Sequence, residues 1–341
     1  MHTYTATTFS SNITGLVADT NNFYSANATA GSYQATQDGA NIRVLPYIIV
    51  KSTTGVSPTA MSVTADQNLR SFGSLMAGQG GTLALLSNGN LTMNGSLSDG
   101  FSTATSAGVL QANAQTFSYQ LVAGADYNAA NLMQTVAGTG NLSLATSKII
   151  RTGTGDISMA AGGDITLASN ATVYTIGQAA STLAGFTLPS SVSTTQNPNV
   201  INAASYVNNG GDISIQAQGN ITGSATTQSV NQWLLRQGGN GTDTSWWIRN
   251  DLFNQGVAAL GGGNVVVSAG GNVTNLSAAS ATNAQYDNTG DQASGAYVVN
   301  GGGDVTVTSN GNITNGVYYV GRGQLDIHVG GSILKSSLSA M

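Results

Sequence analysis

Apolar residues alternate with Ser, Thr and Val in short runs along most of the chain, and these runs come in pairs. Ile157-Ser158-Met159 is followed by Ile165-Thr166-Leu167, and Ile213-Ser214-Ile215 by Ile221-Thr222. Val265-Val266-Val267 leads to Val273-Thr274, and Val305-Thr306-Val307 to Ile313-Thr314. A period of two, rich in β-branched residues, predicts half-buried strands. Every run is introduced by Gly and then Asp or Asn. The corners are Gly155-Asp156 and Gly163-Asp164, Gly211-Asp212 and Gly219-Asn220, Gly263-Asn264 and Gly271-Asn272, and Gly303-Asp304 and Gly311-Asn312. Looser copies lie at residues 81–92 and 323–334, and in all six the two glycines are eight residues apart.

Glycine tolerates positive φ, and a short Asp or Asn side chain can bond the backbone of its own turn, so each doublet predicts a tight corner. Successive copies start 20 residues apart from Gly303 to Gly323 and 40 apart from Gly263 to Gly303. A coil of ~20 residues fits, the longer interval then holding two. Earlier intervals of 74, 56 and 52 residues require inserted loops. A single coil cannot bury its apolar row alone; stacked coils can, and parallel stacking needs crossovers of one hand. The expected fold is all-β, a right-handed parallel β-helix (β-solenoid) of ~20-residue coils with inserted loops. A dozen or more coils would make a rod of ~60–80 Å.

Residues 1–75 lack the doublet and are expected to be irregular coils or an appended region, with Asn12-Ile13-Thr14 and Asn41-Ile42-Arg43-Val44 as candidate strands. Residues 76–341 are expected to be β-helix, interrupted at about 111–138, 178–209 and 223–260. The Ala-rich first insertion suits one short helix, the second holds Pro189 and Pro198, and the third contains all three tryptophans.

Composition supports the same class. Charged residues make up 7% of the 341, with 3 Lys, 6 Arg, 14 Asp and no Glu, while Gly reaches 45. Glu and Lys are the usual fillers of exposed helix faces, so bundles, coiled coils and helix-rich enzymes are excluded. Four prolines without a Gly-X-Y period exclude collagen. The absence of Cys removes disulfides and thiolate metal sites. Nine scattered basic residues and a net charge of −5 argue against nucleic acid as a partner. The longest apolar stretch, at Val44 to Val50, is broken by Pro46 and far too short to enter a bilayer as a span. Met1 to Ser10 has neither a basic nor an apolar leader region, so an exported protein would contain this chain as a piece of something longer.

The doublets, together with Val173-Tyr174-Thr175-Ile176-Gly177 after the Arg151-Thr-Gly-Thr-Gly-Asp-Ile run, resemble the filamentous haemagglutinin-like exoproteins of the bacterial two-partner secretion class. The stretches Leu121 to Asp126 and Asn254 to Gly263 are similar to segments common in large members. The resemblance covers about residues 80 to 335. It implies a right-handed parallel β-helix forming the shaft of a large secreted surface protein, exported through an outer-membrane secretion partner. The roles it implies are adhesion, aggregation or delivery of toxic C-terminal domains. Nothing at the start matches the family's secretion domain, although Asn197-Pro198-Asn199-Val200 echoes one of its motifs mid-chain. The chain is therefore expected to be an internal or C-terminal portion, with neighbouring solenoid segments or copies of itself as head-to-tail partners.

Candidate chemistry is sparse. His2 is terminal and His328 alternates with Ile327 and Val329, so neither suits a triad or a zinc site. A carbohydrate-active β-helix, lyase or glycosidase, would need paired carboxylates. The candidates outside the repeat are Asp243, Asp251, Asp287 and Asp291, with Arg236 and Arg249 near them in sequence. The repeat Asp residues are better explained as corner ladders, because Asn replaces them freely. Calcium-binding nonapeptides require tandem glycines that are missing here; an opportunistic cation on clustered Asp oxygens is the weaker alternative. Trp246 and Trp247, with Trp233, Tyr286 and Tyr297, are candidates for an aromatic platform contacting surface glycans, against a packing role for the same rings. Sequons such as Asn220-Ile221-Thr222 are by-products of the repeat. No enzyme activity and no cofactor are expected, and the chain reads as a structural rod of an extracellular adhesin.

Overall fold

The computed structural model describes residues 2–9, 34–37, 40–43, 47–69, 79–105, 108–111, 115–184, 186, 206–237, 245–286 and 297–335. Its strands are arranged in three long parallel sheets, of nine, nine and seven strands, that recur in the same order along the chain. Among the described residues the chain visits the first, second and third sheet in turn and then begins again, which makes nine stacked coils of a parallel β-helix, the first and last with strands in the first two sheets alone. Coil 5 is representative: Ile157–Ala161, Ile165–Leu167 and Thr172–Thr175. At ~4.8 Å per coil the stack is about 40 Å long, shorter than the sequence period suggests.

Register explains why the alternation is so regular. Ile157 pairs with Ile213, Ile213 with Val265, Val265 with Val305 and Val305 with Leu325, so one inward column runs through five coils. In the second sheet Leu91, Leu142, Ile165, Ile221, Val273 and Ile313 form another inward column, all buried. Each such side chain contributes about 1.5–3 kcal/mol relative to exposure. It does so only while a coil covers it from either side, which is why stability is shared between neighbours.

The structure adds detail to the coil count and to the places where the chain leaves the stack. Residues 2–9 and 47–69 supply the first two coils: His2–Thr5 pairs in register with Tyr47–Lys51, and Thr8–Phe9 with the strand Met61–Val63. The 40-residue interval from Gly263 to Gly303 holds one coil, not two. The extra residues leave the stack as Thr282–Tyr286 and return as Tyr297–Gly301, an antiparallel pair. In the first insertion, Gln115–Ala123 is itself a nine-residue strand of the first sheet, so the excursion starts after it and passes through turns without a helix.

The third insertion folds as a short helix, Val230–Trp233, then antiparallel strands Leu234–Gln237 and Ser245–Ile248. These join the Thr282–Tyr286 pair in a four-stranded antiparallel sheet beside the stack. Gly256–Ala259, placed within this insertion by sequence, is a strand of the third sheet. Ala40–Arg43 is a strand, paired antiparallel with Gln34–Gln37 outside the coils. Asn12-Ile13-Thr14, Pro189 and Asn197-Pro198-Asn199-Val200 lie outside the described residues.

Candidate functional site

The corners carry the most regular chemistry. At the turn from first to second sheet, the Oδ1 atom of one corner residue accepts the backbone N–H of its counterpart in the next coil. Asn90 accepts from Asn141, Asn141 from Asp164, Asp164 from Asn220, Asn220 from Asn272, Asn272 from Asn312 and Asn312 from Ser332, at 2.6–2.8 Å. A second ladder climbs the turn from third to first sheet. There the Asp156 N–H donates to Ser118 Oγ at 3.0 Å, and the Asp212 N–H donates to Asp156 Oδ1 at 2.8 Å. Asn264, Asp304 and Gln324 continue the same pattern on Asp212, Asn264 and Asp304 at 2.7–2.9 Å. The side chains therefore bond the coil that follows and form ladders from coil to coil.

Glycine is needed at these corners for two different reasons. Gly263 and Gly303 hold φ of +117° and +152°, where L side chains are strained. Gly163, Gly219, Gly271 and Gly311 do not have positive φ; a Cβ on any of them would collide with the Oδ1 of the Asn or Asp one coil earlier. The glycine is the space in which the ladder sits, and the doublet is one device rather than two.

Charge is incidental to the ladder but not cost-free. Asp156 has its carboxyl raised above the usual range, first by burial and further by the charge of Asp212, against the opposing hydrogen bond from the Asp212 N–H. Asp66 is the reverse case. Burial would raise it, yet the Ser96 N–H and Lys148 Nζ, the latter 3.0 Å away, outweigh burial and hold it low.

The outer face of the third sheet is covered. Phe101, Tyr174, Phe253, Trp233 and Tyr319 form a continuous edge-to-face series, with consecutive ring centroids 5.5–6.2 Å apart. Arg151 lies beneath it, fully buried, with its guanidinium 3.7 Å from the centre of the Phe101 ring. The guanidinium donates to Ser98 Oγ, Tyr174 Oη and the carbonyls of Thr103 and Thr105 at 2.6–2.9 Å. A buried arginine is tolerated because its donors meet oxygens and its face meets an aromatic ring.

The tryptophans are placed inside this covering layer. Trp233 and Trp247 are 2% and 3% exposed, and Trp246 is half-buried with its indole N–H donating to the Thr282 carbonyl at 3.0 Å. Of the two roles weighed for these rings, Trp247 has no ring face open to a glycan, and Trp233 packs the insertion onto Tyr174, Ile176 and Ala258 of the stack. Tyr286 is buried as well.

Among the described residues the remaining candidates do not assemble into a site. His328 is exposed on the last coil, opposite Thr308. Arg249 and Asp251 neutralise each other through contacts of 2.6–2.7 Å, and Arg236 is exposed. Asp243, Asp287 and Asp291 lie outside the described residues. Among the described residues no three His, Cys, Asp or Glu side chains are grouped to hold a metal ion, and no helix is long and apolar enough to cross a membrane.

Two surface features were not visible in sequence. Residues 124–139 fold back over the outer face of the first sheet and leave a polar groove of about 270 Å³. At the far end of the stack, Leu325 and Ile333 occupy interior-type positions in coil 9 yet are 41% and 67% exposed, and Leu334, in the outward column above Thr314, is 47% exposed. Ile333 and Leu334 line an apolar hollow of about 480 Å³ together with Ile313, Tyr318 and Ile327. No protein-family model, curated protein or solved structure matches this chain.

Proposed function

We propose that the chain is a non-enzymatic rod segment of a secreted, adhesin-like surface protein of the filamentous haemagglutinin kind. The coils are right-handed, and the parent protein leaves the cell through an outer-membrane secretion partner. The rod's work is mechanical: it holds its side loops away from the cell surface. The observation that carries this reading is the pair of corner ladders, which tie each coil to the next through the whole length where the doublet occurs. Such a structure resists local opening because no strand is bound on one side only until the ends are reached.

The exposed row of coil 9 supports an end-to-end partner, either further solenoid or a second copy, since uncovered parallel edges and apolar rows favour pairing. Coil 9 carries Gln324 and Ser332 where coils 5–8 have Asp or Asn, and the Gln324 amide is turned onto Asp326 at 3.0 Å. A joint made there lacks the Asp and Asn acceptors of the internal rungs, so it is weaker than an internal coil boundary and its population follows concentration. Electron microscopy of the purified chain at rising concentration tests this. Filaments that lengthen with concentration are expected; short, monodisperse rods at every concentration would remove end-to-end assembly.

A further inference from the structure

We infer that the groove between residues 124–139 and the first sheet is a binding site for an uncharged oligosaccharide. The inference deepens the adhesin reading, which supplies its biological use, while the chemistry stands on the groove alone.

The groove crosses four successive coils, and its polar lining comes from Asn131, Gln134, Gln216, Gln218, Ser268 and Asn310. None of its lining residues is charged. The side-chain amides of Gln134, Gln218 and Asn310 make no hydrogen bond within the described residues, so they present donors and acceptors to whatever enters. Hydroxyl groups, which both donate and accept, match amides better than carboxylates, sulfates or ammonium groups do. A volume of about 270 Å³ is just under the ~300–1,000 Å³ of drug-sized pockets. It suits a short saccharide stretch with the Met133 side chain against an aliphatic ring face.

The wall is built before any ligand arrives. Tyr127 anchors it: its hydroxyl donates to the Leu86 carbonyl at 2.7 Å and accepts the Ser52 N–H at 3.0 Å, and Lys51 Nζ lies 4.6 Å above its ring. Leu132 and Met133 pack onto the apolar patch of Ile49, Leu86 and Val122. Preorganisation of this kind lowers the ordering cost of binding. An extended peptide is disfavoured, because strand addition needs an open edge and the floor strands of coils 5–8 are paired on both sides.

Calorimetric titration with short oligomers of glucose, xylose, mannose and N-acetylglucosamine tests the site. Oligogalacturonate, heparin oligomers and a Ser/Thr-rich peptide serve as controls. At least one neutral oligomer is expected to bind with Kd of ~1 mM or tighter. The double variant Gln218→Ala/Asn310→Ala, exposed and neutral to folding, weakens binding at least tenfold, and Ser268→Arg abolishes it by filling the groove. The inference is overturned by no neutral binding at ~10 mM, by preference for the anionic oligomers or the peptide, or by unchanged affinity in both variants. Any of these outcomes leaves the concentration dependence of filaments untouched, so the two readings fail separately.

Discussion

Asp164 Oδ1 accepts the backbone N–H of Asn220, one coil away, at 2.6 Å, and it lies where a side chain on Gly219 would have to go. The same relation recurs for Asn220 with Asn272 and for Asn272 with Asn312. A ladder of this kind needs an oxygen at fixed reach and an empty space beside it, and it needs no charge.

Substitution at one rung separates these requirements. Asp164→Asn keeps the oxygen and is expected to change stability by less than ~0.5 kcal/mol. Asp164→Ala leaves the Asn220 N–H without its partner and costs about 1 kcal/mol. Gly219→Ala pushes the carboxylate out of place and costs about 1–3 kcal/mol. Urea denaturation midpoints rank the three; a costly Asp164→Asn would show that charge matters after all.

Asp156 and Asp66 predict opposite pH responses. The folded-state pKa of Asp156 is raised, so its contribution to stability is fully present below the unfolded value near 3.8 and is lost as pH rises through the folded value. Asp156→Asn therefore stabilises the protein at neutral pH, and the gain fades on acidification. Asp66 is lowered, so its contribution is present above about 3.8 and is lost as pH falls through the folded value. Asp66→Asn destabilises at neutral pH and is neutral in strong acid. Thermal melts of both variants between neutral and acid pH check the signs; parallel curves would contradict them.

Much of the stack is legible because the doublet marks a backbone event, the close approach of two coils, that Gly with Asp or Asn satisfies at most corners. Where that event is missing, the coil is present but unmarked. In coil 2 the chain passes the corner at Thr59 and Ala60, against which Gly89 of the next coil packs, and no Asp or Asn announces it. The interval from Gly263 to Gly303 reads as two coils in sequence because the spacing of doublets counts residues without showing that Thr282–Tyr286 and Tyr297–Gly301 leave the stack. The groove was invisible because Asn131, Gln218 and Asn310 are brought together by stacking, which sequence separation hides.

Arg151 predicts a local but severe effect. Arg151→Met removes the charge yet leaves the Thr103 and Thr105 carbonyls and Tyr174 without their donor, and Arg151→Lys reaches fewer of them. Each is expected to lower stability by about 3 kcal/mol or more, read by urea denaturation. A loss below ~1 kcal/mol would show that residues 99–110 hold to the sheet without this side chain.

Trp233 tests whether the covering layer is separable from the coils. Trp233→Ala removes ring contacts to Phe253 and Tyr319 and costs about 3–5 kcal/mol of local stability. Limited proteolysis is expected to cut within residues 223–255 while the β-rich circular dichroism spectrum persists. Loss of the spectrum along with the cut would mean that layer and coils unfold as one unit.

The stacking itself is tested most directly by amide hydrogen exchange at the corners. Asn220, Asn272 and Asn312 have backbone N–H groups in half-exposed or exposed turns, where unbonded amides exchange quickly. With each N–H bonded to the Oδ1 of the preceding coil, all three are predicted to exchange as slowly as the amides of Ile213–Ala217 and Val265–Ala269. Exchange at the rate of open turn amides would contradict a stack held coil to coil by its corners.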